Sequence, residues 1–409
     1  MIGNRLGLGV QPPVRDAIGL LFDASGLPAI AGKWYYVDPK SGSDSAGGLT
    51  YANSLASIKA AYDLCLDGVG DGIVIVSRGS STSADTTSYM EAELAWTKSG
   101  ITVFGIAAPT TMFQRSRIAN KVRAVTGLTT ISFDETDGVY SILDSANGFI
   151  AAGFSVGQKV YVSANSGTNS GIKTIASVAA GVMTVAEAVT DEDAATAGAT
   201  TITSYCLDLI TVSGHNNTFI NLSLFNGSSL VQALGCLKVT GNRNAFINVH
   251  AVGGGHATPA GNAGMYSLYA SGEENTYYGC TFGTDSIIRA AANGEIRFAG
   301  TCRRNAFEKC RVISYSTTAG KGAIISAGAD SIDGWTLFKD CVFTNWNTGA
   351  LSALTSAFIG TKPNNLGLLM QACILIGWAA WDSVGANDRV YVACSDATAS
   401  GAGGIATTT

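Results

Sequence analysis

A chain of 409 residues that is 46% hydrophobic and 13% charged, with 50 Gly and 7 Pro, can bury a large core and needs many tight turns. That composition excludes disordered and collagen-like chains. A formal net charge of −5 with only 25 Lys and Arg argues against nucleic acid as a partner, since such binding rests on phosphate neutralisation and no basic run is present.

Residues 1–33 read as an arm. Leu6, Leu8, Val10, Ile18, Leu20, Leu21 and Phe22 are scattered around Pro12 and Pro13, too apolar to leave in water and too few to build a core. Two readings stand: the arm orders on a partner surface, with Arg5, Leu8, Val10, Arg15, Leu20 and Phe22 making the contacts, or it folds back along its own chain. The opening MIGNRLGLGVQPPVRDAIGLLF has no basic stretch followed by a continuous apolar one, so no signal peptide is expected and synthesis is expected to be cytoplasmic.

The next region, 34–126, begins WYYVDPKSGSDSAGGLTYANSLASIKAAYDLCLDGVGDGIVIVSRG. It reads as a strand, a Gly/Ser loop, a helix from about Ser54 to Leu66 with Leu55, Ile58, Tyr62 and Cys65 on one side, an Asp-Gly turn and a strand over Ile73–Ser77. Residues 127–203 alternate apolar and polar side chains, as at Val160/Val162 and Ile172/Ile175, with turns at Ser-Gly and Ala-Gly. They read as a small inserted β-module.

Residues 204–395 repeat themselves. VSGHNNTFINLSLFNG and VTGNRNAFINVHAVGG are related by a step of 27, which puts Phe219 on Phe246 and Leu222 on Val249. Fainter copies place Tyr277 and Cys280, Phe307 and Cys310, Phe338 and Cys341, and Met370 and Cys373 in the same two slots, at steps of 30 to 32. A period near 30 among short β-runs is that of a solenoid, whose coils bury their apolar faces only against each other. The apolar slots −3, 0 and +2 around the Leu/Val/Cys column fit a bent strand, and Asn at −1 or −5 supplies the bend because it tolerates left-handed backbone. The expected fold class is all-β: a right-handed parallel β-helix with an N-terminal capping helix, and a tail at 396–409.

Four of nine cysteines share one slot, Cys280, Cys310, Cys341 and Cys373. Stacked buried thiols are preferred over disulfides, and no CxxC or Cys/His spacing supports zinc. The apolar run 366–381 is short for a membrane span, carries Gln371, and reads as two buried strands near the end of the solenoid. Asp208, Glu273, Glu274, Glu295, Asp330, Asp333 and Asp340 belong to no motif and read as solvated surface acids. His215, His250 and His256 make no triad, and Gly253–Gly255 is followed by no phosphate-loop lysine. No catalytic group, metal or cofactor is expected. Trp346, Trp378 and Trp381 could stack on sugars, although aromatics there more often cap a core.

The order YYVDP, GSD loop, SLASIKAAYDLC, GDGIVIV resembles the N-terminal opening of pectate-lyase-like right-handed β-helix proteins, in which a short helix caps the first coils. The inserted module, with its GF-x-VG-x-x-V opening and TIASV hairpin, is similar to one found in structural proteins of tailed phages. Together these resemblances imply a non-enzymatic virion protein: a capsid-decoration, head-fibre or tail-associated subunit anchored by its arm to other virion proteins and assembled as a homotrimer. The alternative is a tailspike-like depolymerase or glycan-binding receptor protein facing a host surface glycan.

Overall fold

The computed structural model describes residues 30–77, 87–107, 116–316, 318, 320–328, 331–346, 354–360, 367–381 and 390–393. Arg5, Leu8, Val10, Arg15, Leu20 and Phe22 lie outside the described residues. The architecture is a parallel β-solenoid of about 9 turns at roughly 31 residues per coil, whose coils contribute short strands to three parallel sheets. Among the described residues the first sheet has ten strands, from Trp34–Val37 to Val390–Ala393; the second has eight, from Thr87–Met90 to Ile374–Ile376; the third has seven, from Leu94–Trp96 to Phe358–Gly360.

Identical slots stack in register. Phe219 pairs with Phe246, Phe246 with Tyr277, Tyr277 with Phe307, Phe307 with Phe338 and Phe338 with Met370. The rings are nearly parallel, with centroids 5.0, 5.0, 4.3 and 4.4 Å apart from Phe219 to Phe338. Leu222, Val249, Cys280, Cys310, Cys341 and Cys373 form the neighbouring column, all buried.

In six successive coils the bend between the first and second sheets is a single left-handed residue: Asn221 (φ 56°), Asn248 (52°), Gly279 (62°), Lys309 (53°), Asp340 (53°) and Ala372 (50°). Each of the first five donates its N–H to a carbonyl one coil further on, Asn221 to Ile247 and Lys309 to Lys339 among them. That stacking holds even lysine in a conformation L-residues avoid. The asparagines at −5 behave differently from expectation. Asn217, Asn244, Asn275 and Asn305 are buried and are not left-handed; the residue before each, Asn216, Arg243, Glu274 and Arg304, is. Their amides form a ladder, with Asn217 N–H donating to Asn244 Oδ1 at 2.9 Å, Asn244 N–H to Asn275 Oδ1 at 2.8 Å and Asn275 N–H to Asn305 Oδ1 at 2.8 Å. A buried backbone donor at this corner needs a partner, and the side chain of the next coil supplies it.

The cysteines of the column are free thiols. Each donates back to the aromatic rung beneath: Cys280 to Phe246 O at 3.2 Å, Cys310 to Tyr277 O at 3.3 Å, Cys341 to Phe307 O at 3.3 Å and Cys373 to Phe338 O at 3.4 Å. A hydroxyl inherits those acceptors, so Cys310→Ser should destabilise by only about 1 kcal/mol, the low end for a polar group buried with a partner. Urea midpoints under reducing conditions check this, and a loss above about 3 kcal/mol would show that the thiol packs rather than bonds.

The helix Ile58–Leu64 closes the N-terminal end. Ser57 caps it by accepting from Ala60 N–H, and Lys98 donates to Tyr62 O and Cys65 O at its other end. Tyr62 lies 4.4 Å from Trp96, whose ring in turn meets Phe219 at 5.0 Å, so the cap joins the aromatic column. At the far end the expectation of two buried strands is corrected: Ile374 and Ile376 are 55% and 54% exposed because they occupy the outward positions of their strand. Trp378 and Trp381 are buried, while Trp346 is 60% exposed.

Between Asn120 of the second sheet and Ile210 of the third, the chain leaves the coil and builds a separate seven-stranded antiparallel sheet from Ala124–Leu128 to Thr200–Ser204. Ile131, Phe133, Ile142, Phe149, Val160, Val162 and Ile202 are among its own core residues. Arg123 fastens it to the solenoid: Nε and Nη2 donate to the Glu91 carboxylate at 2.7 and 2.6 Å, and Nη1 reaches Ala152 O at 3.4 Å. Gly153 must be glycine there, since it sits at φ 80° and a Cβ would lie 2.0 Å from Arg123 Nη1.

Candidate functional site

Two of the acids expected to be solvated are buried. Glu295 accepts from Arg289 Nε at 2.9 Å, Lys321 Nζ at 3.1 Å and Ser267 Oγ at 2.7 Å, and all three charged side chains are fully buried. The cause lies in the irregular connections between the second and third sheets, whose carbonyls need donors: Arg289 also donates to Gly254 O and Gly253 O, and Glu295 balances it. Burial pushes Glu295 upward, but the two cations outweigh it and hold the carboxyl at about 2. Lys321 moves the other way, down to about 8, because burial and Arg289 together take more than Glu295 returns. Two cations face one carboxylate, so the shifts need not mirror each other.

Glu273 and Glu274 sit at the corner between the third and first sheets and join neighbouring coils. Glu274 pairs with Arg243 at 2.7 Å and Arg304 at 2.8 Å, and Glu273 with Arg303 at 3.0 Å and Arg304 at 3.3 Å. Asp333 lies 3.6 Å from Arg303, Asp340 is a left-handed corner residue, and Asp330 lies outside the described residues. His250 is buried in its strand with Nε2 at 2.9 Å from Gly283 O, His215 Nδ1 accepts from Asn242 N–H, and His256 caps the short helix Ala257–Ala260.

Asp208 is the second buried acid, and it stands beside an open face. The outward row of the third sheet runs in register through Thr211, Lys238, Tyr269, Arg297, Ile325 and Ile359. Asp208 Oδ1 accepts from Tyr266 Oη at 2.7 Å, while Oδ2 is 4.0 Å from Lys238 Nζ and takes no hydrogen bond among the described residues. Lys238 Nζ sits 5.3 Å from the centre of the Tyr269 ring, which leans on Tyr266 at 5.3 Å. Thr211 donates to Glu93 at 2.6 Å at the lower end of the row. A buried acid beside a row that carries a half-buried lysine and an aromatic can accept a hydroxyl, hold an anion and stack on an apolar ring face.

Burial raises Asp208 to about 6, with Tyr266 and Lys238 opposing and Glu93 adding to the rise. A folded-state value above the unfolded one means that the folded chain binds more protons between about pH 4 and pH 6, so this group lowers stability as pH rises through that window. Asp208→Asn should remove the slope and raise stability at pH 7 by an amount on the order of 2 kcal/mol, with the two proteins melting alike below pH 4. Denaturation midpoints at pH 3.5 and pH 7 read this directly; a variant weaker than wild type at pH 7 would mean that the carboxylate is held by attraction.

A cleft of about 510 Å³ opens next to Glu93, between the first coils and the inserted module. Asp44, Ser57, Lys59, Tyr89, Glu91 and Glu93 line it from the solenoid, and Ser155, Val156, Gly157 and Gln158 from the module. Domain junctions of this kind are common places for binding sites. The six arm residues expected to bind a partner lie outside the described residues, and the columns of Leu222 and Phe219 are core, not surface. Sequence reasoning passed over Lys238, Tyr269, Arg297, Tyr266, Glu91, Glu93, Arg123 and Gln158. One signal was available: Thr211, Lys238 and Tyr269 each stand 11 residues before the Leu222, Val249 and Cys280 column.

No family model and no curated protein matches the chain. Solved structures similar to it include pectate lyase Pel9A, 13% identical over 84% of this chain and 63% of that chain, with a TM-score of 0.43. Pectin methylesterase PemA from Erwinia chrysanthemi is 13% identical over 88% of this chain and 93% of that one, with a TM-score of 0.39. The Gp54 tailspike of Acinetobacter baumannii bacteriophage AP22 is 11% identical over 83% and 72%, with a TM-score of 0.19. This chain spans 63% of the pectate lyase's length. Likenesses this distant carry nothing about chemistry.

Proposed function

We propose that the chain is a non-enzymatic structural protein of a tailed-phage virion, a β-helical capsid-decoration, head-fibre or tail-associated subunit attached through its N-terminal arm and assembled as a homotrimer. The observation that carries this reading is where the acids go. Glycosidic cleavage by the usual route needs two carboxylates facing each other across the bond with room for sugar or water between them. Here Glu295 is sealed among Arg289, Lys321 and Ser267, and Glu273 and Glu274 tie one coil to the next through Arg243, Arg303 and Arg304. The acids of the cleft are engaged in the framework as well: Glu91 pairs with Arg123, Asp44 accepts from Ala56 N–H, Ser57 N–H and Ser57 Oγ, and Glu93 accepts from Thr211 Oγ1. Charges arranged that way support a stiff scaffold. The module's resemblance to phage structural proteins supports the setting.

The row Lys238, Tyr269 and Arg297 beside Asp208 favours a second reading, a glycan-binding receptor protein, because a saccharide offers that row a hydroxyl, an apolar ring face and, in acidic sugars, an anion. Two assays separate the readings. Peptide mass fingerprinting of density-purified particles should find the chain in the virion, and incubation with host surface polysaccharide should leave its chain length unchanged. Absence from particles, or shortening of the polysaccharide, would defeat the proposal.

A further inference from the structure

The cleft between coil and module is acidic. Asp44, Glu91 and Glu93 line it; Arg123 pairs with Glu91 and the cleft's one lysine, Lys59, with Asp63, which leaves Asp44 and Glu93 without a cation among the described residues. Val156 projects at its rim, 65% exposed. Gln158 lines it while 1% exposed, and its amide nitrogen has no hydrogen-bond partner among the described residues. The site fits an occupant that brings a cation for Glu93 and Asp44 and an aliphatic group for Val156: a basic, apolar peptide segment.

This chain contains one. Residues 1–15, MIGNRLGLGVQPPVR, hold two arginines and no acid, with Leu6, Leu8 and Val10 between them. We infer that the cleft receives residues 1–15 of a second copy of the chain, so that copies exchange arms. Gly32, whose N–H bonds Gly70 O, stands just before the first strand of the first sheet, whereas the cleft opens at the passage from the second sheet to the third, where Glu91 and Glu93 lie between Thr87–Met90 and Leu94–Trp96. Passed from each copy to the next, the arm makes a heterologous contact, which closes into a ring when the rotation allows and so suits a trimer. Residues 16–29 give a tether that extends to about 46 Å, well beyond the ~20 Å of a strand. The inference rests on reading the arm as an assembly element.

A complementation experiment tests it by hydrogen exchange at residues 155–158, on full-length chains of different isotopic mass. One variant, Arg5→Glu/Arg15→Glu, has an intact cleft and a disabled arm; the other, Val156→Lys, has an intact arm and a disabled cleft at an exposed position. Wild type should exchange there at least ten-fold more slowly than either variant alone, with all three melting alike. Mixing the two variants should restore the slow exchange in the cleft of the arm-disabled copy. A wild type that is protected, together with a mixture that is not, means that each arm fills its own cleft and overturns the exchange. Fast exchange in wild type means that the cleft is empty and overturns it as well. Particle incorporation is scored separately, so an empty cleft on a chain that still reaches virions refutes this inference and leaves the proposed function intact.

Discussion

Glu295→Gln should lower stability by about 3–5 kcal/mol at pH 7, the cost of removing one partner from a buried ion cluster. The glutamine keeps the shape and loses the charge, which leaves Arg289 and Lys321 fully buried without a counter-ion. Ser267 Oγ, which donates to Glu295 at 2.7 Å, also loses its charged acceptor. The pH dependence has a definite sign. A carboxyl held at about 2 lies below its unfolded value, so its contribution is fully present above about pH 4 and disappears as pH falls toward 2. Wild type should therefore lose stability over that window, and Glu295→Gln should show a flatter profile there. Replacing Arg289, Glu295 and Lys321 together with apolar residues of similar size should be milder than the single change, because no buried charge is then left alone. Urea titrations at pH 7 and pH 3 decide the matter; a loss under about 1 kcal/mol would mean that water reaches the cluster.

Phe307→Ala should cost about 3–5 kcal/mol, the usual range for removing a buried ring without collapse of the site. Phe307 is fully buried between Tyr277 at 4.3 Å and Phe338 at 4.4 Å, with Phe282 and Phe298 edge-on at 6.0 Å. Its backbone is held on both sides by strand pairing, so the neighbouring coils cannot close the gap. Because each coil contacts only its neighbours, the damage should show as earlier melting of the coils on either side of Phe307. Phe307→Leu, which keeps part of the volume, should lose less than half as much. Equal melting of Phe307→Ala and wild type would contradict a stacked column.

The column itself was legible in the sequence because residue identity and step repeat together: Asn217 and Phe219 return at Asn244 and Phe246 with nothing inserted between. Asn221 and Asn248 likewise announced the left-handed bend. The second bend was misplaced, because the buried Asn at −5 looks like a turn residue in sequence and serves instead as a partner for the preceding coil's N–H. Glu295 was unreadable as a buried acid. In GEIRF it alternates with Ile296 and Phe298 and so points away from the core, and only the non-repeating segment that carries Arg289 covers it. Asp208 has the same history: its burial depends on Tyr266, which comes from a connection with no counterpart in other coils. The conserved geometry of a solenoid is written in its repeats, whereas its sites are built from what departs from them.

The proposal that the arm attaches this scaffold to a virion meets its most direct test in deletion of residues 1–32. The first strand, Trp34–Val37, and the capping helix stay in the shortened chain, and Val37, Leu55 and Ile58 keep their places in the core. The truncated protein should show β-rich circular dichroism and nearly unchanged melting, yet fail to appear in purified particles when it replaces the full chain. A truncated protein that melts as the full chain does and still assembles onto virions would contradict the account, and would move the anchor to the module between Ala124 and Ser204.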